Sequence, residues 1–178
     1  MKTRDLVVAG LLIALAVTLP LAAHLIKVGG PVLLPMHIPI FLAGLLLGPG
    51  LAAAVGVLAP LVSFFLTGMP PLSPPVLPLM VVELATYALV LSVLTRRTSW
   101  SIWLTLPVAM LAGRVALGLA AAVIGPLFGF HVNPVFYVYG ALVQGLPGLA
   151  LQLIIIPLVA LQLRRSHPAV IAGDMAKP

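Results

Sequence analysis

The chain contains no cysteine, which excludes disulfides, thiol nucleophiles and cysteine-ligated metals. Charge is scarce as well: 7% of its 178 residues are charged, against roughly a quarter in a soluble domain. Patterns that would announce chemistry are missing too. No Walker motif is present, so this chain is not expected to hydrolyse a nucleotide itself. Ser63 and Ser73 lack a Gly-x-Ser-x-Gly setting, and no histidines have the spacing of His-x-x-x-His or His-Glu-x-x-His. No catalytic residue, metal site or cofactor is therefore assigned, and no internal repeat is evident.

What remains is hydrocarbon. Hydrophobic residues make up 62% of the chain, and mean hydropathy is +1.27. An all-α integral membrane protein is expected, with residues 1–178 as a single membrane domain and no room for a soluble catalytic one. The net charge of +6 suits an anionic bilayer surface better than nucleic acid, because seven of the nine Lys and Arg lie near the termini or in one short loop. Met1-Lys-Thr-Arg-Asp5 before an apolar run resembles a signal peptide. The run continues to Ile26 without a small-residue cleavage site, however, and reads as a first span.

A span needs about 20 apolar residues, fewer where other helices shield it. Six are expected, at about 5–26, 33–47, 51–66, 78–94, 102–124 and 135–163. Lys27-Val-Gly-Gly-Pro31, Gly48-Pro-Gly50, the proline-rich Thr67–Leu77, the basic Thr95–Trp100 and Gly125–Pro134 separate them. Six spans put both termini on one side. Lys2, Arg4, Arg96, Arg97, Arg164 and Arg165 then share that side, which the positive-inside rule makes cytoplasmic. Trp100 and Trp103 beside the basic loop fit interfacial anchors. The opposite loops are long, rich in proline and glycine, and carry His37, Ser73, His131 and Asn133, as a lid over an outward-facing pocket would.

Two ionisable groups fall well inside spans, Glu83 and Arg114. A charged group at the bilayer centre costs roughly 2.5–3.5 kcal/mol or more, so such groups line cavities or pair. At 1.5 Å per residue, Glu83 lies about 8 Å and Arg114 about 15 Å below the outer ends of their helices, a gap an arginine side chain can bridge. Two readings follow: groups that bind a polar solute, or an ion pair that fixes helix packing. His37, in the irregular start of the second span, offers a neutral imidazole to a solute or is an interfacial histidine satisfied by water. His24 and His131 read as interfacial. Tyr87 lies one turn below Glu83 and can share its face. Asn133, Tyr137, Tyr139 and Gln144 surround the start of the sixth span; Tyr137, Gln144 and Gly148 recur at near-helical spacing, as a pocket wall or an interhelical hydrogen bond would require. Gly10 and Ala14, four apart in the first span, would let another helix approach closely.

Met36-His-Ile-Pro-Ile-Phe-Leu-Ala-Gly44, Gly48-Pro, Leu66-Thr-Gly-Met-Pro-Pro-Leu72 and Glu83-Leu-Ala-Thr-Tyr87 resemble segments of the substrate-binding S components of energy-coupling factor (ECF) transporters. The resemblance spans most of Leu6–Leu163 and is most specific over Leu34–Tyr87. It implies a multi-pass subunit in a prokaryotic plasma membrane that binds a small water-soluble vitamin or precursor. Delivery would need a membrane coupling protein and two cytoplasmic ATPases. It also implies gates in the outer loops, here Pro35 and Met36 in the first and Met69, Pro70 and Pro71 in the third. The coupling protein would meet Gly10 and Ala14, where Gly10 replaces the family's first alanine. Arg114 would suit a carboxylate such as pantothenate, and Glu83 a solute with donors; the balance leans toward a pantothenate-like solute. The alternatives are an autonomous small-solute transporter or channel, and an intramembrane enzyme.

Overall fold

The computed structural model describes residues 2–25, 30–72, 75–129 and 133–166. Lys27, Ser73, His131 and His167 lie outside them. Seven helical segments follow in order: α1 (Thr3–Leu25), α2 (Gly30–Leu33), α3 (His37–Leu46), α4 (Pro49–Thr67), α5 (Val76–Arg97), α6 (Ile102–Leu127) and α7 (Pro134–Ser166). No strand occurs among the described residues. Five helices, α1 and α4 to α7, are long and apolar enough to cross a membrane, so the chain is an all-helical membrane protein.

The expected second span differs most from what forms. Instead of one helix over 33–47, a single turn, α2, is followed by Leu34–Met36 and then by the 10-residue α3. At 1.5 Å per residue α3 rises about 15 Å, half the thickness of a hydrocarbon core of about 30 Å. The break has a local cause. Leu34 has φ +50°, and Pro35 follows it, so neither residue continues a helix. α3 survives inside the bundle because other helices shield it: His37, Pro39, Ile40, Phe41, Ala43 and Gly44 are buried. The other ends move by a few residues. α5 starts at Val76, with Pro78 in its first turn, where an N–H would lack an intrahelical partner anyway.

α5 is the axis of the bundle, packed against α3, α4 and α6. α1 lies on α3 and α4, and α7 on α2, α3 and α6. Leu84, Ala88 and Leu91 of α5 meet Ile40 and Phe41 of α3, Val55 and Ala59 of α4 and Leu106 of α6 in one core. Two glycines make the approach possible. A Cβ on Gly56 would sit 2.6 Å from the Ala85 Cα, and one on Gly113 would run into the Tyr87 ring. Large apolar side chains point outward along every long helix, among them Val7, Leu58, Leu111, Leu119 and Ile154, as on a surface that faces lipid.

The bundle's two ends are stitched differently. At the end holding Arg96, Ser92 donates to the Leu47 carbonyl (2.7 Å) and accepts from Arg96 Nη1 (3.0 Å), tying α5 to the α3–α4 turn. At the other end the chain between α4 and α5 folds back: Gly68 ends α4 with φ +73°, and Leu77 N donates to the Pro71 carbonyl (3.0 Å). That backtrack lays Met69–Pro71 across the mouth of a cavity.

Candidate functional site

The cavity has a volume of about 750 Å³, within the range of small-molecule sites. Every bundle helix except α2 supplies wall. Pro20 comes from α1, His37 from α3, Ser63 from α4, and Leu79, Met80 and Glu83 from α5. Arg114 and Leu117 come from α6, and Phe136, Tyr137, Gly140, Ala141 and Gln144 from α7. Leu34, Pro35 and Met69–Pro71 line the cavity from partly exposed positions, and Met36 from a buried one. Most of this lining is apolar; its two charged groups lie on α5 and α6, and single polar groups come from α3, α4 and α7.

There, Glu83 Oε1 accepts two hydrogen bonds. Arg114 Nη1 donates across the α5–α6 interface at 2.8 Å, and the Tyr87 hydroxyl donates from one turn along α5 at 2.6 Å. Both charged side chains are nearly buried, so the pair replaces hydration that each lost on leaving water. Tyr87 does not reach the cavity wall. It is fully buried between His37 and Phe41, with ring centroids 5.7 and 5.2 Å away, and Gly113 leaves room for its edge. Its rigid seat holds the hydroxyl where Glu83 needs a donor.

The pairing leaves donors unused. Among the described residues, Arg114 Nε and Nη2 and both ring nitrogens of His37 are buried without a hydrogen-bond partner. Buried polar groups are normally satisfied, and four orphans on two cavity-lining side chains mark where a ligand or water would supply partners.

The other residues singled out from sequence separate cleanly. Pro35, Met69, Pro70 and Pro71 line the cavity from partly exposed positions, Met36 lines it from a buried one in the core, and Tyr137 and Gln144 are on the α7 wall. Asn133 is not part of the lining: it is exposed, its Oδ1 accepts from Val135 N (2.9 Å), and its carbonyl accepts from Tyr137 N. It is the N-cap of α7, followed by Pro134 at the first helical position, a sequence signal for a helix start. Tyr139 points away from the cavity and is 63% exposed. Gly148 faces Leu33 rather than the cavity; a Cβ there would lie 2.6 Å from the Leu33 carbonyl. Gly10 and Ala14 are exposed on the outer face of α1, remote from the lining.

Two polar residues escaped sequence reasoning. Ser63, weighed there only as a nucleophile, lines the cavity from α4. Gln152, fully buried in α7, donates from Nε2 to the Leu34 carbonyl at 3.2 Å and so grips the turn that carries Pro35, Met36 and His37. A lone amide deep in an apolar run was its signal, the same one that drew notice to Gln144.

No curated protein and no solved structure gives a significant match to this chain. A family model does: that of the ECF transporter substrate-specific component matches residues 4–160, which takes in every long helix except the last turns of α7. A helical membrane bundle with a partly polar cavity is consistent with that match, and the chain belongs to the substrate-specific components of ECF transporters.

Proposed function

We propose that this chain is the substrate-capture subunit of an ECF-type importer. It binds a small water-soluble vitamin or vitamin precursor, with a lean toward a pantothenate-like solute, in the cavity ringed by His37, Glu83, Arg114, Tyr137 and Gln144. It then hands that solute on with a membrane coupling protein and two cytoplasmic ATPases. The observation that carries this reading is a pocket of about 750 Å³ with buried, unpartnered donors on Arg114 and His37, inside a chain of the substrate-specific family. In this reading the cavity opens to the outside, and Leu34–Met36 and Met69–Pro71 are the gates. The termini are cytoplasmic, in a prokaryotic plasma membrane. Gly10 and Ala14, whose small side chains leave an open strip on α1, meet the coupling protein.

The test is a screen of the purified, detergent-solubilised protein against water-soluble vitamins, by native mass spectrometry and by thermal shift. One compound that stays bound and raises the unfolding temperature is expected. Proteoliposomes with this chain alone are expected to bind the compound without accumulating it, and accumulation is expected once coupling subunits and ATP are supplied. Flux through the chain alone would replace this reading with an autonomous transporter.

A further inference from the structure

We infer that the solute is a monocarboxylate, and that its carboxylate docks on the Nε–Nη2 edge of Arg114 while Glu83 stays on Nη1. The inference rests on the capture reading above and divides its site into an anchor and the groups that aim it.

A guanidinium presents two parallel N–H bonds along its Nε–Nη2 edge, and the two oxygens of a carboxylate match that fork. In this chain Nη1 is spoken for by Glu83, and the two unpartnered nitrogens of Arg114 are Nε and Nη2. The two buried, unpartnered positions are therefore the pair that grips a planar oxyanion. Glu83 is a positioning residue: its Oε1 already holds Nη1 and the Tyr87 hydroxyl, so the arginine is fixed at one corner and its fork is left unpaired at the other.

Charge balance limits the solute further. Arg114 is the only cation, and Glu83 the only anion, among the described lining residues. The empty site is neutral as a pair, and one carboxylate brings it to a single negative charge. A dicarboxylate would bring a second charge with no cation to meet it, in a wall that is mostly apolar. A cationic solute would face Arg114, and the one carboxylate able to offset it is already engaged. Beyond the anchor, His37 offers one donor and one acceptor in its neutral form, both unpartnered, which suits an amide or hydroxyl. Met36, Met69 and Met80 give the remaining wall a soft apolar surface for a carbon skeleton and few partners for a polyhydroxylated chain.

The experiment uses matched pairs on the full-length protein in detergent: pantothenate and pantothenol, nicotinate and nicotinamide, with thiamine as a cation and riboflavin as a neutral polyol. Affinities are read by isothermal titration and by thermal shift, on wild type and on Arg114→Lys, which keeps the charge and loses the fork. One acid is expected to bind at least ~30-fold more tightly than its uncharged partner, in line with two charge-assisted hydrogen bonds. Arg114→Lys is expected to erase most of that ratio. If the variant does not fold, the wild-type ratio decides alone. Equal binding of acid and uncharged partner, or tight binding of thiamine or riboflavin, overturns the carboxylate anchor and leaves the capture reading standing. Binding of no compound in the vitamin screen overturns the capture reading itself.

Discussion

The two halves of α5 have nearly the same composition and opposite surroundings. Taking Glu83 as the boundary, in the closed half that follows it Ala85, Ala88 and Leu91 press against Gly56 and Gly44, and Ser92 bonds the Leu47 carbonyl, so backbones touch and no space is left. In the N-terminal half, Val76, Leu79, Met80 and Glu83 face a cavity of about 750 Å³. Hydrophobicity does not separate the two regions; neighbouring chain does. Around the closed half the partners are unbroken helices carrying small residues. Around the open half two neighbours stop, the α2–α3 junction at Leu34–Met36 and α4 at Gly68, while α6 and α7 run past it. A helix that stops or bends leaves volume its neighbours cannot fill, and the cavity is that volume.

The largest expected effect comes from breaking the Glu83–Arg114 ion pair in the open half. Glu83→Ala strands a nearly buried guanidinium and is expected to cost about 3–5 kcal/mol of stability. Replacing both partners, Glu83→Leu with Arg114→Met, is expected to recover most of that loss, because an apolar pair needs no compensation. Solute binding should be absent in both. Chemical unfolding in detergent beside a binding assay separates the two consequences. If the double variant still binds, the ion pair belongs to packing and the contrast between the halves loses its functional side.

The closed half should respond in the opposite way. Gly56→Val places a side chain where the nearest obstacle is the Ala85 Cα at 2.6 Å, backbone that cannot swing aside. The expected cost is about 1–3 kcal/mol from overpacking, with unchanged solute affinity in the fraction that remains folded. A large loss of affinity without loss of stability would mean that packing around Ala85 is transmitted to the cavity.

How far the sequence discloses this molecule depends on whether a feature is local. Long uncharged runs and Pro-Gly breaks are local, and five of the expected spans form as long helices. Glu83 and Arg114 also stand out without a structure, because a charge amid hydrocarbon is conspicuous wherever it falls. That they pair, and by which nitrogen, depends on the rotation of α6 against α5, which no spacing rule reports. Tyr87 shares the face of Glu83, as helical spacing implies, yet the packing of α3 and of Gly113 decides that it is buried beneath the site rather than exposed in it. Pro35, His37 and Pro39 marked the start of 33–47 as irregular, but not that the helix would shrink to α3; the left-handed turn at Leu34 is also held from α7, 118 residues away along the chain.

That support is the next prediction. Gln152 donates to the Leu34 carbonyl, which also accepts from His37 N at 3.0 Å, so one amide holds both the turn and the start of α3. Gln152→Met keeps the length and removes the donor. The expected stability loss is about 1 kcal/mol, the net value of one hydrogen bond. The bound solute is also expected to leave faster, since Pro35, Met36 and His37 ride on that turn. Dissociation followed by competition with labelled solute would report the second effect, and an unchanged rate would show that α7 holds the rim without governing it.

The smallest stability change is expected at the rim itself. Met69 is half exposed, and its backbone N–H donates to the Thr67 hydroxyl regardless of its side chain. Met69→Ala should therefore move unfolding by less than about 0.5 kcal/mol, the usual range for an exposed position. In an occupied cavity the same thioether would lie over the solute, and removing roughly 1 kcal/mol of apolar contact corresponds to about a fivefold loss of affinity. Open and closed halves then differ in kind: near the cavity a side chain can be cut with little cost to the fold and a measurable cost to binding, whereas at Gly56 the order reverses. Equal and small effects on both measurements at Met69 would place the solute deeper, against Arg114 and His37, with the Met69–Pro71 segment clear of it.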